Sequence, residues 1–175
     1  LNALSNDDSK IYYLALGDSF PSGVSISGTP PGNKTFPAYS YVDALYDLLK
    51  KNNANLEFKK FARGGEPSDG LIANQLDNVT NFMKSNSGLT KFVTITTGIN
   101  DFRNCNSIAT NFSECFKSGL NNLMNNLNNT IIPRLKEAGV VDLRHIITND
   151  TKCNYTYQCE YGDIHPTPDG SRAIA

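Results

Sequence analysis

The stretch "IYYLALGDSF", residues Ile11 to Phe20, decides the fold. Ile11-Tyr12-Tyr13-Leu14-Ala15-Leu16 is an unbroken apolar and aromatic run, and it stops at Gly17-Asp18-Ser19, with Pro21 and Gly23 just beyond. A short continuous run bounded by glycine and proline reads as a strand buried on both faces. Such strands occur in parallel sheets covered by helices, so Ser19 falls where a sheet strand gives way to its loop.

Outward from that strand the pattern alternates. A Gly/Pro/Ser-rich loop reaches about Pro37, after which Tyr41, Leu45, Leu48 and Leu49 recur at helical spacing. Leu56 to Phe61 reads as a second strand, broken at Arg63-Gly64-Gly65, and Leu71, Leu76, Val79 and Phe82 suggest helical turns. Lys91 to Thr96 is a β-branched third strand that ends near Gly98. A helix is expected from about Ser113 to Ala138, because Phe116, Leu120, Leu123, Met124, Leu127, Ile131 and Leu135 form a continuous apolar stripe. Pro133 should kink it, Gly139 should stop it, and Leu143 to Thr148 should make a fourth strand. The predicted order is β-α-β-α-β-α-β, an α/β protein with a parallel sheet covered on both faces.

A chain of 175 residues fits one domain with a real core. Sixteen basic against seventeen acidic side chains leave no field strong enough to gather nucleic acid or anionic lipid. No apolar run is long enough to cross a bilayer, so no integral membrane association is expected. The four cysteines fall as two close pairs, Cys105 with Cys115 and Cys153 with Cys159, whose spacing suits two local disulfides and no zinc site. Asn-x-Ser/Thr sequons at Asn33, Asn78, Asn111, Asn128, Asn149 and Asn154 point with them to an oxidising, secreted setting.

In open parallel sheets ligands gather beyond the carboxyl ends of the strands. The segments expected there are Gly17-Asp18-Ser19, Gly64-Gly65, Gly98-Ile99-Asn100-Asp101 and, near the C-terminus, Asp163-Ile164-His165-Pro166-Thr167. Together they hold a hydroxyl nucleophile, a base, an amide and exposed backbone N–H groups, the parts of an acyl-transfer site. A serine needs a base to take its proton, and the chain has two histidines. His145 alternates with Leu143 and Ile147 inside the predicted fourth strand and reads as structural, whereas His165 lies in a loop fixed by Pro166 and Pro168 and reads as the base. The Ser19 and Gly65 N–H groups and the Asn100 amide are the candidate oxyanion donors. Glycine at 65 would let a substrate oxygen approach the main chain. Asp18 and Asp101 flank these blocks as loop-holding or capping carboxylates. Arg63 is either a guide for an anionic substrate or a solvated side chain, and the Ser22 to Phe36 loop with Tyr39 and Tyr41 would form the selecting walls.

The motifs "LALGDSFPSG", "ARGGEPSDGLIANQL", "VTITTGIND" and "HPT" resemble, in order and over most of the chain, the four blocks of the SGNH or GDSL-type hydrolases, in particular their secreted esterase and lipase branch. The resemblance implies a three-layer α/β/α, flavodoxin-like fold and serine ester hydrolysis with no metal or other cofactor. It gives Ser19 as nucleophile, Gly65 and Asn100 as oxyanion donors and His165 as base. That family sets its orienting aspartate three residues before the histidine; here that position is Gly162, and Asp163 stands two before. Either Asp163 serves through a shifted loop or a backbone carbonyl orients the ring. The expected chain is a monomeric single domain over residues 1–175, a minimal member or one lacking part of its C-terminal helix. The expected substrates are acyl esters of carbohydrates or small molecules. The alternatives are a lipase or phospholipase, or a non-catalytic carbohydrate-binding protein on the same fold.

Overall fold

A computed structural model describes residues 10–27, 33–35, 37–105, 111–136, 139–141, 165 and 167–174. The opening run forms β1 (Ile11–Gly17), and a single helical turn, α1 (Ser19–Ser22), follows it directly. The Gly/Pro/Ser-rich loop contains a small antiparallel hairpin that the sequence pattern did not signal, β2 (Ser25–Ser27) with β3 (Asn33–Thr35). Next come α2 (Tyr41–Lys50) and β4 (Leu56–Lys60). Helix α3 (Ser68–Leu71) runs through a wide π turn (Ile72–Leu76) into α4 (Asp77–Ser85). Strand β5 (Thr90–Thr96) leads to a 3-10 turn (Ile99–Phe102) and then α5 (Phe112–Asn126). A second π turn (Leu127–Ile131), α6 (Ile132–Arg134), β6 (Gly139–Val141) and α7 (Pro168–Ile174) complete the described elements.

The four long-range strands make one parallel sheet in the order β4-β1-β5-β6. β1 therefore lies inside the sheet, which is why its residues are apolar without alternation. From β1 the chain moves to one side to make β4, then crosses back over β1 to make β5. Right-handed crossovers consequently put α2 on one face and α3 to α6 on the other. The core divides accordingly. Leu14 and Leu16 of β1 pack with Leu71, Leu76, Val79, Met83, Ile131 and Leu135, while Tyr13 and Ala15 pack with Tyr41, Val42 and Leu56. Helix α7 docks on α2, on the second face.

Three expectations change in the later part of the chain. The strand that pairs with β5 is Gly139–Val141, so Gly139 opens a strand, and the helix before it has already ended at Arg134. The predicted strand over Leu143–Thr148, with His145, lies outside the described residues. Pro133 does disturb the helix, through a π turn: the Ile132 N–H donates to Leu127 O, five residues back. The extra residue in that turn eases the clash between the proline ring and the carbonyl four positions earlier. The apolar stripe is also not buried throughout. Ile131 and Leu135 are in the core, whereas Phe116 is 44% exposed and Leu120 and Met124 are similarly open.

Candidate active site

The chain reverses its winding direction at β1, and the crevice of such a sheet opens beyond the ends of β1 and its neighbour β5. Ser19 stands just past β1 and is 6% exposed. Gly17 has φ +132°, and a Cβ there would lie 1.9 Å from the Thr96 carbonyl oxygen, so only glycine lets β1 and β5 finish this close together. The Asp18 N–H then donates to Thr96 O at 3.0 Å, and the turn carrying Ser19 closes with Ser22 N–H on Asp18 O and Gly23 N–H on Ser19 O. The Asp18 carboxylate accepts the Phe20 N–H at 3.0 Å and is 1% exposed. Burial raises its pKa to about 7; the Phe20 N–H opposes that rise and the nearby charge of Asp101 adds to it.

After β4, the chain stays tied to β1 through Phe61 N–H on Ala15 O and Arg63 N–H on Gly17 O. Gly65 follows with φ +81°, and no heavy atom of the protein lies within 4 Å of the Cβ position. Its glycine is thus required by backbone conformation, and not by crowding from the protein itself. Asn100, in the turn after β5, donates from Nδ2 to Glu66 O at 3.1 Å, which fixes the amide and leaves its second N–H for another acceptor. Asp101 does not cap its own turn. Its carboxylate accepts both the Ser68 N–H at 2.9 Å and the Ser68 hydroxyl at 2.5 Å, joining the β5 loop to the start of α3. Ser68 Oγ also accepts from Asn126 Nδ2 of α5 at 2.9 Å, and Asn126 reaches Asp69 as well.

His165 is partly buried, and its ring lies against that of Phe20 with centroids 5.7 Å apart. The imidazole therefore sits beside the residue that follows Ser19. α7, which begins three residues later, carries it there by docking on α2. Asp163 lies outside the described residues, as do Cys153, Cys159, Asn149 and Asn154. Cys105 and Cys115 are joined by a disulfide. Of the other sequons, Asn78, Asn111 and Asn128 are exposed and Asn33 lies in β3.

One side chain departs from its expected place, and a second, exposed as expected, has a neighbour in the chain. Tyr41 is no substrate wall: it is buried, with its hydroxyl 2.5 Å from Thr96 Oγ1. Arg63 is not merely solvated, since its Nε lies 3.5 Å from Glu66 Oε1. The sequence reasoning passed over Gln75, Glu66, Ser68 and Asn126. Gln75 had a signal, because it lies four residues from both Leu71 and Val79, a polar residue on an otherwise apolar helical face. Ser68 and Asn126 had none, because their partners are 33 and 58 residues away in sequence.

A parallel α/β sheet with a buried serine at its switch point defines the class, and solved structures share that fold. An acetylxylan esterase from Geobacillus stearothermophilus aligns with a TM-score of 0.56 at 14% identity, over 95% of this chain and 91% of its own. An aryl esterase from M. smegmatis gives 0.52 at 13% identity over 94% of each chain, and a lipase from a goat-rumen metagenome gives 0.51 at 14% over 94% of each. Residues 13–114 match the family model for GDSL-like lipase/acylhydrolase, and the chain belongs to that family. It is a carboxylic ester hydrolase. No curated protein sequence matches it significantly.

Proposed function

We propose that the protein hydrolyses acyl esters of carbohydrates or other small molecules through an acyl-enzyme on Ser19. The Ser19 hydroxyl attacks the carbonyl carbon as its proton passes to a ring nitrogen of His165. The oxyanion rests on the N–H groups of Ser19 and Gly65 and on the Asn100 amide. Collapse of the tetrahedral intermediate breaks the ester C–O bond, and the protonated imidazole returns its proton to the departing alcohol. Water, deprotonated by the same imidazole, then attacks the acyl-serine and releases the acid. Asp163 or a backbone carbonyl orients the ring. The observation that carries this reading is the contact of the His165 ring with Phe20, at the turn that holds Ser19.

The setting we propose is extracellular, supported by the Cys105–Cys115 disulfide and the exposed sequons at Asn78, Asn111 and Asn128. The chain acts as a single domain.

Turnover of p-nitrophenyl acetate, with a longer acyl homologue beside it, tests the mechanism. Ser19→Ala and His165→Ala should each lower kcat by at least about 10³-fold, and the double variant should be no worse than the single ones, because the pair acts as a unit. A serine-directed fluorophosphonate should label the peptide containing Ser19. Turnover surviving in Ser19→Ala, or a label elsewhere, would sink the mechanism; an inert wild type would favour a binding protein on this fold.

A further inference from the structure

Resting on the proposed roles of Ser19 and Gly65, the geometry points to Gln75 and Glu66 as positioning residues that hold the oxyanion loop in register with the nucleophile. Gln75 is 1% exposed and lies in the π turn between α3 and α4. Its Oε1 accepts the Gly17 N–H at 3.0 Å, and its Nε2 donates to Gly17 O at 2.7 Å and to Glu66 Oε2 at 2.6 Å. One carboxamide thus grips residue 17, two before the nucleophile, and residue 66, one after the oxyanion glycine.

The need for it follows from the sheet. The pairing of β1 with β4 ends at Ala15 with Lys60, yet β1 continues to Gly17. Arg63 N–H reaches Gly17 O, but the Gly17 N–H finds its partner in Gln75. The side chain stands in for a strand residue where β4 has already turned away, and a buried N–H left without such a partner would be costly. The π turn matters because one extra residue in the turn changes the direction in which the following side chains point, and such turns recur at functional sites. Glu66 is held in turn: its Oε1 accepts from Asn74 Nδ2 at 2.8 Å and pairs with Arg63 Nε at 3.5 Å. Its own backbone oxygen accepts from Asn100 Nδ2 at 3.1 Å. Both non-serine oxyanion donors therefore adjoin residue 66, which Gln75 ties to β1. Donors aimed at an oxyanion act only if they are already in place, and a displacement of about 1 Å can cost about 100-fold in rate.

Gln75→Leu removes all three bonds with similar volume, and Gln75→Glu keeps an acceptor for the Gly17 N–H but loses the amide donor. Above neutral pH the introduced carboxylate would face Glu66, with Arg63 beyond it; protonated, it can donate again to Glu66 or Gly17 O. Both variants should lose about 10- to 100-fold in kcat with KM unchanged, since the lost precision concerns the transition state. For Gln75→Glu the ratio of its kcat to the wild-type value should rise as the pH is lowered. Taking that ratio cancels the pH dependence that both proteins share. Should Gln75→Leu fail to fold, Glu66→Ala leaves the bonds to Gly17 in place and should still lower kcat, by about 10-fold. Folding is checked by melting, and fluorophosphonate labelling rates are measured beside turnover. Wild-type kcat in a folded Gln75 variant, or a kcat ratio for Gln75→Glu that does not change with pH, overturns the positioning role. A wild type labelled at Ser19 alongside an unimpaired variant overturns this role alone, whereas a wild type not labelled at Ser19 overturns the catalytic reading and this one with it.

Discussion

The two faces of the sheet are built from different chemistry. On one, β1 presents Leu14 and Leu16 to Leu71, Leu76, Val79, Met83, Ile131 and Leu135, a buried cluster with no aromatic ring of its own, against which the half-buried Tyr12, Phe61 and Phe82 pack. On the other it presents Tyr13 to stacked Phe58 and Phe92, beside Tyr41, and both tyrosine hydroxyls bond to threonines of β5, Thr94 and Thr96. Each face holds one half of the candidate site. The aliphatic face anchors α3, the first π turn and the second π turn that continues α5, and so Ser68, Gln75 and Asn126 behind the loops that follow β4 and β5. The aromatic face anchors α2, on which α7 docks below His165. Apolar burial supplies adhesion on both sides. The polar groups decide where the loops point, because a buried donor or acceptor tolerates few geometries.

The contrast can be broken first on the aliphatic side. Leu71→Ala removes a fully buried side chain that no polar bond can replace, and should cost about 2–5 kcal/mol of unfolding free energy in a denaturant titration. A loss under about 1 kcal/mol would mean that the aliphatic core relaxes far more than a close-packed layer should.

Asp18, between the two halves, should give the next largest effect. Its pKa is about 7 in the folded protein against 3.8 for a free aspartate, so between these values the native state keeps a proton that the unfolded chain has lost. Stability should therefore fall as the pH rises from about 4 to about 7, by on the order of a few kcal/mol, and level off above. Asp18→Asn keeps an acceptor for the Phe20 N–H and should flatten that slope. Denaturation midpoints across this range, compared with wild type, check it; parallel profiles would show that Asp18 does not titrate there.

The smallest effect belongs to the aromatic face. Tyr41→Phe deletes one hydroxyl and leaves Thr96 Oγ1 without that partner, for about 1 kcal/mol. Because Thr96 O also receives the Asp18 N–H, the same variant should slow fluorophosphonate labelling only slightly. A labelling rate reduced as strongly as in the Gln75 variants would erase the distinction between the two faces.

Much of this was legible in the chain. The Ile11–Leu16 run declared a buried strand, and glycine at 17, 64–65 and 98 marked the ends of three sheet strands where the candidate site gathers. The hairpin of β2 and β3 was not legible, since its strands have three residues each and no alternating pattern. The end of the long helix differs from the expectation because Leu135, buried in the same cluster as Ile131, continues the helical spacing past Arg134, where the helix stops.

Sequence alone determined the kinds of element, their order and the loop on which Ser19 stands, because apolar periodicity and glycine conformations depend on near neighbours. Tertiary structure decided which loops are tied to which. Asp101 holds Ser68 across 33 residues, Gln75 holds Gly17 across 58, and His165 meets Phe20 from the far end of the chain. Those meetings follow from the order of strands in the sheet, and a hydrogen bond between distant residues leaves no periodic trace in the segments that make it.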